Sequence, residues 1–402
     1  MNCHFLVISL QSLSFSKKLN LLFDMKFWYK FLFLPVFVLA LTGCDKETSD
    51  DNQEPTEVPE NVNTVDGKVT QLQKHKVGNG VPIVIMCDGF LDKDITGGRY
   101  RKATTMALNT LFSIHPMTSL KEYFDVYEVT AVSDNDFFSA YSKTVFGVKI
   151  SKDSNPAVVS SNITKHDDVK AVEYAKKAIG EKRINDALII VLINDKSSAG
   201  LCSHHGNFIK SDIPKGYTEG CSVAYATLID TKDFKPDCNI VLLHEAIGHG
   251  FAMLADEYVS KSGKMPDAER LDKIDSQNYG FYSNISFSSD VKKSYWADLA
   301  ADSRYKSSHL ACYEGAACYA KGVYRPTSNS IMNSGDSFNV VARSMIYKRC
   351  MKLAYGDSWK FNYEDFVNFD LKGTKTGSSS KRYAPSKRSA AFQCSGFMVD
   401  SY

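Results

Sequence analysis

The sequence predicts an α/β fold built on a mainly parallel, twisted sheet. Short, uniformly apolar runs at residues 83–87 and 187–193 are typical of strands that are buried on both faces. Between such runs, apolar side chains recur at helical spacing, as in residues 103–114 and 169–179. Strands that alternate with helices in this way favour a parallel sheet covered by helices.

The remaining elements follow from the same patterns. Aromatic and β-branched residues at 124–132 favour a strand, and another strand is predicted at 223–229, directly before the most informative segment. The chain is then mostly polar until residues 339–353, which predict one more helix. We therefore expect a loop-rich lower lobe in the second half of the chain.

Residues 1–43 have the layout of a leader with an export signal. From Met25 onwards, positively charged residues precede an apolar stretch at 31–41 that is too short to span a membrane comfortably. The stretch closes on the tetrapeptide LTGC at residues 41–44. We expect Met25 to be the true start of the protein.

The tetrapeptide at residues 41–44 resembles the lipobox of bacterial lipoproteins, in which the cysteine is acylated and becomes the new N-terminus. Several acyl chains on Cys44 would make a stable anchor, because each buried CH₂ contributes about 0.8 kcal/mol. Residues 44–66 are read as this anchor and an acidic linker with few large apolar side chains. The protein is thus predicted to be exported and lipid-anchored, at a bacterial outer membrane or cell surface, and to contact the membrane through its anchor only.

The composition is that of an ordinary globular protein. Hydrophobic residues make up 44% of the chain and the formal net charge is +2, so a sizeable core is expected and no nucleic acid partner is implied.

Residues 369–402 are rich in Gly, Ser, Thr and Lys and are expected to form a poorly ordered tail.

Several cysteines follow Cys44, and their even number permits disulfides in an exported chain. Cys312 with Cys318, and Cys202 with Cys221, are the closest pairs and the preferred ones. The alternative is that most of these residues are buried thiols. No pair has the CxxC spacing of a structural zinc site.

The segment with the clearest chemistry is HEAIGH at residues 244–249. Neutral imidazoles bind zinc, and a neighbouring carboxylate can take a proton from a metal-activated water. In the usual HExxH signature the histidines lie four residues apart on one face of a helix. Here they are five apart, which corresponds to about 140° on a regular α-helix. A single π-turn would return both to one face, and Gly248 would ease the distortion.

His244 and His249 are therefore the first two candidate zinc ligands, and Glu245 is the candidate catalytic base. A mononuclear catalytic zinc takes three protein ligands and keeps one position open for water. Asp256 and Glu257 follow closely enough for either carboxylate to return to the metal. Asp256 is the preferred third ligand and Glu257 the alternative; as a non-ligand, Glu257 would orient a zinc histidine through a hydrogen bond.

The run HEAIGHGFAMLADEY at residues 244–258 resembles the signature HExGHxxxxLxDEY of the IgA-peptidase family of bacterial zinc metallopeptidases, with one residue inserted before the Gly-His pair. The histidine spacing itself is similar to that of the dipeptidyl peptidase III family. The resemblance to the IgA-peptidase family extends to residues 86–90, 313–316 and 324–326, and so covers most of residues 80–350.

This resemblance implies a metzincin-like zincin in which residues 67–368 form the catalytic domain. It also implies a methionine turn beneath the zinc, for which Met332 is the candidate and Met345 the less favoured choice. The strand at 223–229 would be an edge strand that pairs with extended substrate backbone.

The predicted function is that of a secreted, lipid-anchored zinc metalloendopeptidase, which hydrolyses peptide bonds of a protein or peptide through a zinc-activated water. Two alternatives stay open: a catalytically inactive surface-binding lipoprotein of the same fold, and a zinc amidase that acts on cell-wall peptides. The inserted residue favours the inactive protein, whereas the retained Glu245 disfavours it. The remaining histidines with possible roles are interpreted as exposed loop residues; they are His115, His204, His205 and His309.

Overall fold

The structure is a computed structural model that describes residues 65–152, 161–209, 216–229 and 237–376. The leader and Cys44 lie outside these residues. The α-helices are α1 (Asp92–Thr96), α2 (Arg99–Leu111), α3 (Met117–Leu120), α4 (Asp168–Ile179), α5 (Asp237–Leu242), α6 (Asp267–Gln277), α7 (Ala297–Ala301), α8 (Val340–Tyr355) and α9 (Tyr363–Thr376). A π-helix, Leu243–Phe251, continues directly from α5, and we call it the motif helix.

The strands are β1 (Val69–Gln73), β2 (Val81–Asp88), β3 (Phe124–Val129), β4 (Lys149–Lys152), β5 (Ser161–Lys165), β6 (Leu188–Ile193), β7 (Gly200–His204), β8 (Asn207–Ile209), β9 (Gly216–Thr218), β10 (Ser222–Thr227), β11 (Val259–Lys264), β12 (Tyr313–Ala316) and β13 (Cys318–Arg325). Short 3₁₀ segments occur at Lys121–Tyr123, Glu181–Asp186, Val291–Lys293 and Ser303–Ser308. None of the helices in the described ranges is both long and apolar enough to cross a membrane.

The main sheet has six strands in the order β1-β3-β2-β6-β10-β7. Its four central strands run parallel, and the two outer strands are antiparallel to their neighbours. Every residue of β2, β6 and β10 is buried, as expected for strands with both faces covered. The predicted α/β class with a mainly parallel sheet is therefore confirmed.

Alternate residues of the buried strands point into two separate cores. Ile83 and Ile85 of β2 pack with residues of α2, α8 and the motif helix. Val84 and Met86 pack on the other face, with residues of α4. The motif helix thus lies on one face of the sheet, where it contacts β6, β7 and β10.

The predicted strands and helices of the first half all occur, as β2, β3, β6, β10, α2 and α4, and the late helix is α8. The expectation that residues 223–229 form an edge strand is wrong, because β10 lies between β6 and β7. The terminal strand is β7, which contains His204, a residue that the sequence had indicated as part of an exposed loop.

The lower lobe contains more regular structure than its sequence indicates. Strands β11, β13 and β12 form a three-stranded sheet beside a third core that includes Met253, Phe281 and Ile285. All six residues of β11 are exposed, so this strand has no apolar period that a sequence pattern could detect.

The predicted tail boundary at residue 369 is wrong, because α9 continues to Thr376. Asp370 explains the difference. Its buried carboxylate accepts hydrogen bonds from Nε and Nη2 of Arg343 at 2.6 and 2.9 Å, and His115 Nε2 lies 3.0 Å from it. This charge-assisted pairing fixes α9 to α8. His115 is therefore largely buried and not an exposed loop residue; residues 377–402 lie outside the described ranges.

The preferred disulfide pairs are also wrong. Cys202, Cys221 and Cys312 are free thiols, whereas Cys318 is disulfide-bonded. Cys202 and Cys221 are close in sequence but belong to the two different cores. The main sheet therefore separates them, and their thiols cannot meet.

Candidate metal centre and active site

The motif helix is π-helical over all nine of its residues, and all nine are buried. The wider turn brings the two histidines to one face, with Nε2 of His244 and Nε2 of His249 only 3.1 Å apart. The π-turn that the five-residue spacing predicted is confirmed, and it extends further along the helix than a single turn.

After the motif helix ends at Phe251, the chain turns and returns Asp256 to the histidines. Met253 lies in this turn with φ of 55°, a left-handed conformation that is uncommon for residues other than glycine. Oδ1 of Asp256 lies 3.0 Å from Nε2 of His244 and 3.1 Å from Nε2 of His249. Among the described residues, these three side chains are the one group placed to share a metal ion.

Backbone carbonyls fix the orientation of both imidazoles. Nδ1 of His244 lies 3.0 Å from the carbonyl oxygen of Ile331, and Nδ1 of His249 lies 2.7 Å from that of Leu254. Because a carbonyl oxygen only accepts hydrogen bonds, each Nδ1 must carry the proton. In the neutral rings both Nε2 lone pairs then face each other and the Asp256 oxygen. Three converging acceptors require a cation between them, so the residues fit a metal.

Electrostatics favour a positive charge at the same point. Burial acts to lower the pKa of His249, but the neighbouring charge of Asp256 raises this pKa to about 9. Burial likewise acts to raise the pKa of Asp256, but the two histidines lower it to about 2. Asp256 is therefore ionised at neutral pH, and its negative charge favours a cation beside it, either a proton on His249 or a metal.

Glu245 lies beside this centre and is only 1% exposed. Neither of its carboxylate oxygens has a hydrogen-bond partner among the described residues. Burial raises the pKa of this carboxyl group. A buried carboxylate without partners is unfavourable, and proteins retain such a group where it has a chemical role.

Glu257 does not lie at the metal centre. Its fully buried carboxylate accepts hydrogen bonds from Nδ2 of Asn284 at 3.0 Å, Nδ2 of Asn339 at 3.0 Å and Oγ of Ser330 at 2.5 Å. The expectation that Glu257 orients a zinc histidine through a hydrogen bond is therefore wrong. The backbone carbonyls of Ile331 and Leu254 orient the two imidazoles instead. The influence of Glu257 on the site is indirect: Ser330 precedes Ile331, whose carbonyl orients the first histidine.

Met332 lies directly against the motif helix. The residue is completely buried, and a methyl group added at Gly248 would overlap its sulfur atom. The carbonyl oxygen of Met332 also accepts a hydrogen bond from the backbone N–H of Glu257 at 2.7 Å. Gly248 was expected to ease the π-turn, and in the structure it also makes room for this sulfur.

Residues 71–305, more than half of the chain, match the family model of IgA peptidase M64. The chain belongs to the IgA peptidase M64 family. Membership implies a metallopeptidase, and it confirms the resemblance carried by residues 244–258. The late segments at 313–316 and 324–326 lie beyond the matched residues. No curated protein matches the chain.

In this M64-family chain, Tyr258 is a further candidate active-site residue that the sequence analysis did not single out. Its ring centroid lies 6.2 Å from that of His244. Burial, followed by the charges of Asp256 and Glu245, holds the pKa of the Tyr258 phenol far above its usual range. The hydroxyl thus keeps its proton. The signal in the sequence was the tyrosine of the DEY motif, which had been read only as part of the family signature.

Three of the four histidines that were interpreted as exposed loop residues are not exposed. His204 is completely buried, with Nδ1 at 2.8 Å from Oγ of Ser222. Nε2 of His205 lies 3.0 Å from the carboxylate of Asp168 on the far side of the sheet. With the buried His115, these residues contradict the sequence interpretation, and only His309 is exposed as expected.

Proposed function

We propose that the protein is an exported, lipid-anchored zinc metalloendopeptidase. His244, His249 and Asp256 would hold the metal, and Glu245 would be the general base. The observation that carries the proposal is the Glu245 carboxylate, which is buried without a hydrogen-bond partner among the described residues. It lies beside three ligand atoms that converge on one point.

Zinc is the metal that best suits these residues. Two imidazole nitrogens and one carboxylate oxygen are a usual zinc donor set, and catalytic zinc sites take three protein ligands and keep one position open. When bound, the metal supplies Lewis acidity, which lowers the pKa of water and stabilises negative charge on a carbonyl oxygen.

Glu245 would move the proton in the reaction. Its carboxylate takes a proton from the water that attacks the peptide carbonyl, and the resulting carboxylic acid then protonates the leaving nitrogen. The raised pKa that burial gives Glu245 makes its carboxylate a stronger base. Tyr258 keeps its proton and hydrogen-bonds to Asp256; when Asp256 holds the metal, this hydroxyl would instead donate a hydrogen bond to negative charge that develops on the substrate.

A peptide substrate suits the terminal strand of the main sheet. Within the described residues, β7 pairs with β10 along one side and has no strand paired along its other side, although all five of its residues are buried. The strand also contacts the motif helix. An extended protein or peptide chain that paired with this side would bring a peptide bond close to Glu245.

The metzincin-like assignment is part of the same proposal and depends on Met332. This residue packs against Gly248, between the two histidines of the motif helix. Met332 would thus supply the apolar floor of a methionine turn beneath the metal.

Cleavage of a complex peptide mixture tests the proposed activity. We would incubate residues 61–402, which form one compact unit, with proteome-derived peptides and read the products by mass spectrometry. We expect internal cleavages that a chelator abolishes and added zinc restores. Cleavage that persists with the chelator would contradict the proposal. Zinc binding without any cleavage would favour the inactive surface-binding protein, and cleavage of cell-wall peptides alone would favour the zinc amidase.

Lipid anchoring is a separate proposal, supported by the lipobox-like residues 41–44. We expect Cys44→Ser to move the protein from the membrane fraction to the soluble fraction, because the acylated side chain is lost. Mass spectrometry of the wild-type mature N-terminus should show lipid on Cys44. A wild-type N-terminus without lipid, together with unchanged fractionation of the variant, would refute the anchor.

A further inference from the structure

Gly200, the first residue of β7, lies against the carboxylate of Glu245. A Cβ atom built at Gly200 would be 2.5 Å from both Cγ and Oε1 of Glu245 and 2.8 Å from its Cδ. Cβ contacts shorter than 3.0 Å are essentially not seen in proteins. Any residue other than glycine at this position would therefore force the strand or the glutamate to move.

The backbone conformation does not itself require glycine here. Gly200 is not among the residues with positive φ, and it pairs with Ala226 in a regular antiparallel register. The usual reasons for a glycine inside a strand, a left-handed conformation or a bulge, thus do not apply. The contact with Glu245 accounts for the missing side chain.

Neither Gly200 nor Glu245 can move away from the other. Glu245 is 1% exposed, so its carboxylate cannot swing into solvent. The strand is held at the residue before Gly200, where the carbonyl of Ala199 accepts from Thr227 N at 3.0 Å and the N–H of Ala199 donates to Thr227 Oγ1 at 3.0 Å. A side chain at position 200 would therefore displace the carboxylate within the active site.

We propose that Gly200 is a positioning residue that acts through Glu245. Because Gly200 has no side chain, the Glu245 carboxylate can lie in the space beside it. The location of that space sets where the carboxylate meets the attacking water. The inference rests on the proposed function. The three heavy atoms nearest to the built Cβ all belong to Glu245 and none to a proposed metal ligand. A change at Gly200 should thus disturb proton transfer and leave metal binding intact.

The kinetic test compares Gly200→Ala with Gly263→Ala. Gly263 lies in β11, also has no positive φ, and has no atom within 4 Å of its built Cβ, so it is a matched control. We expect Gly200→Ala to keep one metal per chain and lower kcat by about 10 to 100-fold, since a misplacement near 1 Å costs about that much. KM should change little, and the pH dependence of kcat/KM should shift because the base has a new environment. Gly263→Ala should match the wild type.

A thermal-unfolding cycle tests the contact without any activity. We expect Gly200→Ala to lower Tm, and we expect this loss to disappear when Glu245 is also changed to alanine, which removes the overlapping atoms. If Gly200→Ala does not fold, the double variant should still fold. An equal loss of Tm in both backgrounds, or a double variant that also fails to fold, would overturn the inference.

The two tests separate this inference from the proposed function. A wild-type protein that cleaves no peptide would refute the function, while the cycle would still decide whether a side chain at position 200 meets Glu245. An active wild type whose Gly200→Ala variant keeps both its kcat and its pH profile would refute the positioning role alone. A lowered Tm with unchanged kinetics would leave Gly200 a packing residue and would also refute that role.

Discussion

Replacing Glu245 by glutamine is expected to lower kcat by at least ~10²-fold while the protein keeps one zinc per chain. Glutamine has nearly the same size and shape, so it fits the same buried space against Gly200. Its amide cannot take a proton from water, however. The loss should therefore appear in the chemical step and not in metal binding or folding.

The measurement combines kcat on a cleaved peptide with metal content and Tm. A matched control is Glu128→Gln, which changes another buried carboxylate on β3, where Glu128 pairs with Arg101. This control should retain activity close to that of the wild type. Full activity in Glu245→Gln would place the general base elsewhere and would remove the main argument for catalysis at this site.

Replacing Asp256 by asparagine is expected to weaken zinc binding more than replacing Glu257 by glutamine. Both changes convert a buried carboxylate to an amide of similar shape. Asp256 faces Nε2 of both histidines, whereas the Glu257 carboxylate bonds to Ser330, Asn284 and Asn339 and to neither histidine. Loss of an indirect support typically costs about 10 to 100-fold in metal affinity, and loss of a ligand should exceed this.

Parallel zinc titrations of the two variants distinguish the roles of these adjacent residues. If Glu257→Gln loses the metal and Asp256→Asn keeps it, the assignment is reversed. If both variants bind zinc as the wild type does, the third ligand lies elsewhere. Tm should be followed in the same samples, because Glu257 also joins Asn284 and Asn339 to the turn at Ser330.

The convergence of the candidate ligands could be predicted because they lie close together in the sequence. The spacing of His244 and His249 requires a π-turn, which follows from helix geometry alone. A short turn then suffices to return Asp256. The metal-binding and catalytic roles of these residues stay predictions.

Contacts between distant segments could not be predicted in the same way. Gly200 meets Glu245 only because β7 pairs with β10, on the face of the sheet that carries the motif helix. Nothing near Gly200 in sequence indicates this partner. His204 and His205 lie in a stretch that is typical of loops, yet the pairing of β7 with β10 buries His204, and His205 lies against Asp168 of α4.

The position of Glu257 was misjudged for a similar reason. Its partners Asn284, Ser330 and Asn339 come from three separate segments of the second half of the chain. Because Glu257 follows a candidate ligand directly, its carboxylate was expected to hydrogen-bond to a zinc histidine. Backbone carbonyls already fix the imidazole rings of both His244 and His249, however. Such carbonyls have no sequence signature, because every residue supplies one.

X-ray anomalous scattering from crystals of the wild-type protein tests the central claim most directly. Data collected on both sides of the zinc absorption edge would locate the metal and identify it. We expect one zinc peak bounded by Nε2 of His244, Nε2 of His249 and Oδ1 of Asp256, next to the Glu245 carboxylate. A protein that cleaves peptides with no anomalous peak at this point, or with its zinc held by other side chains, would contradict the account.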